Sequence, residues 1–406
     1  MKLNFIVLQV VVALVLGCQA SKKDQTTDTT SDSLYFEPRL IADSAKFWWA
    51  HVPVDITGDG ITDLVYINNN AKGGYLGFLE GTVDAVLWKK NIIAEAPPSG
   101  GLFASGDMEC ADIDQDGDID VFAVKHPGEW QDGGATGELF WYENPTWEAH
   151  YIGEAPDAVK DVSFADFNKD GKPDLSVLTF VENTLSIFQQ IDTEKWERVQ
   201  FYTNYKNLHE GMAIGDFNGN GYDDIVANAH IFYNPRGKLR KDWLTENLDP
   251  KWNTQEGDWS RNGTKTFARD VDEDGIAEIF MAHSERAGYP LVWYKRNSEG
   301  KWIENLISKE IPACHTLQVF DFDLDGDFDV LAGINKGRAV NLDVDHFEIF
   351  LFLSSNNYQT WDQTTIGTDG IYNGQAIDYD GDGDIDIFRY PNHESTEFYL
   401  LDNQLK

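Results

Sequence analysis

Seven segments of the chain place oxygen-bearing side chains at the same intervals around a glycine. The first runs from Asp55 through Thr57 and Asp59 to Asp63, and the second carries Asp112, Asp114, Asp116 and Asp120. Asp166, Asn168, Asp170 and Asp174 form the third, and Asp216, Asn218, Asn220 and Asp224 the fourth. The fifth has Asp270, Asp272, Asp274 and Glu278, the sixth Asp321, Asp323, Asp325 and Asp329, and the seventh Asp378, Asp380, Asp382 and Asp386. In each, the sixth residue is glycine. Carboxylate and amide oxygens wrapped about a tight glycine turn are what a hard cation of the calcium type requires. Like charges packed this closely repel one another unless a cation neutralises them. The expectation is several structural calcium ions.

The elements that carry these loops follow from their spacing. Their first residues are separated by 57, 54, 50, 54, 51 and 57 positions, the period of one four-stranded propeller blade. Each loop is flanked by short β-prone runs such as Leu317 to Phe320 and Val330 to Gly333, so it joins two strands and is not a helix-flanked EF-hand. A second marker is a tryptophan with an apolar residue five positions later: Trp88 and Ile93, Trp147 and Ile152, Trp196 and Phe201, Trp243 and Leu248, Trp302 and Ile307, Trp361 and Ile366. These mark outer strands. The seventh instance is Phe36 and Ile41 at the other end of the chain, where an N-terminal strand can complete the last blade beside Phe398 to Leu401 and remove the open edge. The fold class is therefore all-β, a seven-bladed β-propeller closed by its N-terminal strand.

If the acidic loops join first and second strands on one rim, the other ends of those strands meet at the opposite rim. Counting fourteen residues on from each loop's first Asp reaches Asn69, His126, Phe180, His230, Ser284, Asn335 and Asn392, with His283 and His393 one place away. Counting six or seven back reaches Trp48, Trp49, Lys160, His209, Glu210, Cys314, His315 and Tyr372. Most of the nine histidines thus converge on one mouth. There His126, His209, His230, His283 and His315 are candidates for proton transfer or for a transition-metal site, supported by Lys160, Arg286 and Tyr372. Trp48, Trp49, Trp130 and Trp259 offer stacking faces, and Lys125, Arg338 and Arg389 offer positive charge, which together suit an acidic sugar. Trp252 maps to the same side.

The Asp-x-Asp-x-Asp-Gly-x-x-Asp loops resemble the FG-GAP/VCBS repeat family over residues 34–406. That family includes adhesins, lectin-like modules and a few lyases, so the resemblance implies the fold and leaves the activity open. With its mouth residues, the chain also resembles the propellers of sugar dehydratases of the aldos-2-ulose dehydratase type and an ulvan oligosaccharide dehydratase. The implied activity is dehydration or β-elimination on uronate-containing, sulfated or unsulfated, polysaccharide fragments. The alternative is a non-catalytic, calcium-dependent glycan-binding or adhesion propeller.

The first residues belong to export. An apolar run from Phe5 to Leu16, too short to span a membrane, ends in Gly17-Cys18, which reads as a lipoprotein signal peptide over residues 1–17 with lipid on Cys18. Residues 18–33 are Ser-, Thr-, Asp- and Lys-rich and should form a disordered tether. Ser21-Lys22-Lys23-Asp24 resembles signals that send lipoproteins to the outer membrane, so the expected location is there, at the cell surface or on the periplasmic face. The remaining cysteines, Cys110 and Cys314, imply no disulfide framework. The net charge of −37 argues against nucleic acid as a partner, and 29 of the 69 acids lie in the seven loops. No phosphate loop or serine-hydrolase elbow is present.

Overall fold

The computed structural model describes residues 34–68, 74–84, 86–126 and 136–405. Residues 1–33, where a signal peptide, the lipid on Cys18 and a tether are expected, lie outside the described residues, as do Trp130 and Asn69. None of the helices among the described residues is long and apolar enough to cross a membrane.

Seven antiparallel sheets follow one another along the chain. Blade 1 is Ala50–Val54, Asp63–Ile67, Leu76–Glu80 and Lys89–Ala94, paired in that order. Blades 3 to 6 repeat the pattern, each acidic loop joining the first strand to the second. In blade 2 the first strand is split. Leu102–Phe103 and Cys110–Ala111 both pair with Asp120–His126, and the residues between them leave the ladder.

The ring closes as the sequence requires. Phe36–Ala42 pairs antiparallel with Phe398–Asn403, the third strand of blade 7, so the last sheet takes its outer strand from the chain's N-terminal side. The edge that an open last blade would offer to another chain is thereby covered.

Periodicity explains the packing. The second strands are buried along their whole length, as in Asp63–Ile67, Glu278–His283 and Asp329–Ile334, because both of their faces meet a neighbouring blade. Fourth strands alternate with solvent, and their tryptophans turn inward: Trp88 and Trp243 are buried. Seven hydrophobic clusters result, one in each seam between blades. Two of the mouth tryptophans belong to this packing. Trp48 is stacked on Tyr66 with ring centroids 3.7 Å apart, and Trp252 is buried with its indole N–H donating to the Tyr294 hydroxyl at 2.9 Å.

The seam between blades 7 and 1 holds a histidine that the strand count passed over. The His51 ring packs edge-on against Phe398 at 4.9 Å, with Nδ1 2.8 Å from the Trp48 carbonyl. Burial pushes its pKa down to about 4, so the folded protein holds it neutral while the unfolded chain titrates near the ordinary value. Its contribution is intact above pH 6.5 and is lost as the pH falls from there to about 4. Over that window the wild type should lose about 3 kcal/mol more stability than His51→Gln in urea unfolding. Parallel stability curves for the two proteins would contradict this.

Candidate functional site

The two rims of the ring are built differently. At the loop rim, the glycine at position 6 has φ between +83° and +103° in all seven loops, a conformation that side chains with a Cβ rarely adopt. The carboxylate at position 1 caps the turn: Asp55 accepts from the N–H groups of Gly58, Asp59 and Gly60, and Asp216 does the same in blade 4. The ninth residue has a further task. Asp329 accepts from Phe322 N–H at 3.0 Å and from Ser354 N–H at 2.8 Å, tying the loop to the third strand. Asp63, Asp120, Asp224 and Asp386 repeat both contacts. Burial is the main cause that pushes these carboxyls up, Asp63 to about 6 and Asp386 to about 8.

Ligand atoms lie within 4.8 Å of one another in Asp112, Asp114 and Asp120, in Asp270, Asp272 and Glu278, in Asp321, Asp323 and Asp325, and in Asp378, Asp380 and Asp386. These sets could hold a metal ion. Loops 1, 3 and 4 carry Thr57, Asn168, Asn218 and Asn220 at the third and fifth positions, and so present fewer charged oxygens.

The opposite rim is held by hydrogen bonds from blade to blade. The Trp49 indole donates to Ser105 O, Gly106 N–H to Val159 O, Gly211 N–H to Asp161 Oδ2, and Thr264 Oγ1 to Glu210 O, at 3.0, 2.8, 2.6 and 3.0 Å. Ala313 N–H to Arg286 O, Gly374 N–H to Thr316 Oγ1 and Asn373 Nδ2 to Trp49 O continue the belt to blade 1, at 3.0, 2.8 and 2.8 Å. Gly211 is required here, since its φ is +87° and a Cβ would lie 2.2 Å from Thr264 Oγ1. Its neighbour Glu210 is thereby fixed at the seam.

Inside this belt sits a buried ionic cluster drawn from five blades. Lys160 of blade 3 meets Glu210 Oε2 of blade 4 at 3.5 Å. The other oxygen of Glu210 accepts from Ser284 Oγ of blade 5. The next residue, Glu285, takes His315 Nε2 of blade 6 at 2.8 Å on Oε1 and Arg338 Nε at 2.6 Å on Oε2. Arg338 reaches in from the short helix Lys336–Val340, which Asn335 caps. From blade 7, the Tyr372 and His393 rings pack at a tilt with centroids 4.0 Å apart, and the Tyr372 ring lies 4.6 Å from that of His315.

Electrostatics fixes the charge states. Burial works to raise Glu210, but Lys160, His315 and His209 outweigh it and hold the carboxyl down at about 2. Burial opposes the Lys160 ammonium and is likewise outweighed, chiefly by Glu210, so this pKa is raised. Burial pushes His209 down, His283 to about 4 and His393 to about 3. It also raises the Tyr372 phenol. At neutral pH the site therefore combines the buried Lys160–Glu210 pair and the half-buried Arg338–Glu285 pair with neutral imidazoles and a protonated phenol.

Glu210, Glu285 and His315 have ligand atoms within 4.8 Å of one another and are all buried, and His315 Nδ1 makes no hydrogen bond. Two carboxylates and an imidazole suit a divalent transition metal. Toward solvent, a groove of about 570 Å³ lies over the cluster, lined by Trp259, Glu285, Arg338, Asn392 and His393 among others. The Arg338 guanidinium stands 5.7 Å over the Trp259 ring. Toward the axis, His315 borders a channel cavity of about 330 Å³, whose wall includes Asp107, Glu109 and Lys265.

The cluster gathers some of the residues expected from sequence and leaves others out. Lys160, His209, His315, Tyr372, Trp259 and Arg338 come together, with Trp49 5.7 Å from His393. His283 stands beside the cluster, its Nε2 3.0 Å from Arg261 O and its ring against Tyr289. Arg286 is bound through one nitrogen to both oxygens of Asp258 on the rim. Lys125 and Arg389 are held at strand ends by Glu138 and Asp369. His126 ends the second strand of blade 2 opposite Leu102.

His230 is displaced for a clear reason. In blade 4 the second strand, Asp224–Ala227, has only four residues, and Asn228 and Ala229 turn the chain with φ of 41° and 60°. His230 therefore opens the third strand, 5.3 Å from the Tyr205 ring. Glu285 was missed, although it lies one place beyond Ser284 and the same count would have found it.

A seven-bladed β-propeller is the class that this fold defines, and two stretches of it are similar to FG-GAP-like repeats. The FG-GAP-like repeat model matches residues 112–177 and 270–332, which contain the second, third, fifth and sixth loops. No curated protein matches the chain. Among solved structures, the chain is similar to BBS1N crystallised in complex with ARL6DN and soaked with lead, with a TM-score of 0.54 and 10% identity over 92% of this chain and 97% of that one. The mercury-soaked form of the same complex gives a TM-score of 0.53 at the same identity and coverage. At this identity the likeness is one of fold.

The two tasks of the loop carboxylates can be separated with a chelator. In EDTA, Asp329→Ala should lower stability by roughly 2–6 kcal/mol, because two buried N–H groups lose their acceptor, while Asp325→Ala changes little. Urea unfolding checks this, and equal losses in the two variants would contradict it.

Proposed function

We propose that this protein is an extracytoplasmic, lipid-anchored enzyme of the outer membrane that removes an oxygen substituent from acidic oligosaccharides by β-elimination or dehydration. What carries the reading is the juxtaposition at one mouth of a buried and a half-buried cation–carboxylate pair with neutral imidazoles and a protonated phenol. A groove walled in part by Trp259 opens onto the Glu285–Arg338 pair and His393. Its volume suits a sugar unit or two.

The chemistry follows from the charge states. Arg338, already beside Trp259, pairs with the uronate carboxylate while the ring stacks on the sugar's C–H face. The carboxylate's charge is then partly neutralised and the proton on C5 becomes more acidic. A neutral imidazole, His209 or His393, accepts that proton. The electron pair of the C5–H bond becomes the C4–C5 double bond as the C4–O bond breaks, and the leaving oxygen takes a proton from the Tyr372 hydroxyl. The products are an unsaturated uronate and an alcohol, or water when the leaving group is a hydroxyl.

Glu285 is a positioning residue, since it orients both His315 and Arg338. Glu210, Glu285 and His315 would hold a transition metal, which when bound supplies a Lewis acid to the substrate carboxylate. Acidic loops of this kind would hold calcium for structure in several blades. The export reading rests on the leader ending at Cys18.

The test is to incubate the protein with uronate-containing oligosaccharides, sulfated and unsulfated, and follow the ultraviolet absorbance of conjugated unsaturated uronate. Glu285→Gln should lower kcat by roughly 10²–10⁴-fold with near-ultraviolet circular dichroism unchanged, while His230→Ala stays close to wild type. Retained glycan binding with no unsaturated product from any such substrate would favour the non-catalytic glycan-binding propeller instead.

A further inference from the structure

The seven loops share a motif, yet each meets a different residue from its own blade. The ladders that pair Val121 with Tyr142, Ile279 with Tyr294 and Ile387 with Leu401 bring the next third-strand residue up beside the loop's ninth position. By that register the residue is acidic in three blades: Glu80 in blade 1, Glu143 in blade 2 and Asp402 in blade 7. In blades 3, 4 and 6 it is uncharged. In blade 5 alone it is a cation, Lys295.

Lys295 does not point away from the loop. Its ammonium is hydrogen-bonded to Asp272 Oδ2, the third-position ligand, and stands 4.0 Å from Glu278 Oε1, the ninth-position ligand. Asp272 and Glu278 are two of the three acids of this loop whose ligand atoms converge. Glu278 is also the one ninth-position residue with the longer side chain. The other acidic residues at this register position are drawn elsewhere or add negative charge. Glu80 is paired with Lys89 and Asp402 with Arg39, and Glu143 with His150.

We propose that blade 5 carries its own cation: the Lys295 ammonium occupies the position that a metal ion takes in the other acidic loops, so the fifth loop folds without calcium. A tethered ammonium meets part of the electrostatic demand that an ion would, since it places positive charge between two carboxylates that would otherwise repel. It cannot satisfy six or more oxygens as calcium does, and it stands in the way of an ion that would. The inference rests on the reading that the other loops bind calcium.

The experiment counts calcium ions bound per chain, by native mass spectrometry and by titration calorimetry, on the full protein and on Lys295→Gln. The expected result is one more calcium in the variant. A second measurement addresses the ammonium directly: in EDTA, Asp272→Asn should lower the unfolding midpoint in urea, while Asp323→Asn, the equivalent change in blade 6, should not. Equal calcium counts in wild type and Lys295→Gln overturn the proposal. So does an equal response of the two Asn variants. A wild type that takes up no calcium at all overturns it together with the calcium reading of the loops, which separates the two failures.

Discussion

A carboxylate taken out of water is costly unless it is paired or well hydrogen-bonded, and this chain buries one at the ninth position of every acidic loop. In Asp63, Asp120, Asp224, Asp329 and Asp386 the two oxygens are satisfied by two backbone N–H groups, one from the loop and one from the end of the third strand or the residue just after it. The contact decides where the loop can lie. It pins the start of the second strand to one rim of the ring, so the far end of that strand, and the near end of the first, must come out at the other. Everything at the mouth depends on this phase. The hydrogen-bond belt from Trp49 round to Asn373 then locks the mouth rim, and Lys160, Glu210 and His315 ride on its links or next to them.

The mouth shows what such a scaffold permits. Buried ion pairs contribute little net stability, because desolvation offsets their attraction, and they are best understood by what they position. Here Glu285 holds an imidazole and a guanidinium at once, and Glu210 holds Lys160 and a serine hydroxyl. Five blades contribute to an arrangement that no single blade could build. The outer wall carries a cavity of similar size, about 570 Å³, beside Trp293 and Tyr358. Its cations are already committed, Lys295 to Asp272 and Arg296 to the backbone oxygens of Phe217 and Gly300.

Much of this was legible in the chain itself. The loop spacing gave the blade count, and the unmatched Phe36 and Ile41 gave the closing strand, because both rest on short-range patterns that repeat. The mouth was legible only in outline. A count from each loop presumes strands of equal length, and it fails where the four-residue strand of blade 4 turns early at Asn228, which carries His230 outward. It fails again where the first strand of blade 2 breaks between Phe103 and Cys110 and exposes Asp107 and Glu109 to the channel. Trp48 and Trp252 have the composition of a sugar platform but serve as packing, since indole burial against Tyr66 and Tyr294 depends on neighbours distant in sequence. The count reaches Glu285 one place beyond Ser284, but nothing in its sequence neighbourhood tells its role. Its role comes from His315 and Arg338, 30 and 53 residues away.

The measurement that bears most directly on the mouth as the working end is the location of a bound acidic oligosaccharide in a crystal of the protein. The expected density lies in the groove between Trp259 and Arg338, with a carboxylate or sulfate against the guanidinium. Density confined to the outer wall beside Trp293 and Tyr358, with the mouth left to solvent, would contradict the assignment.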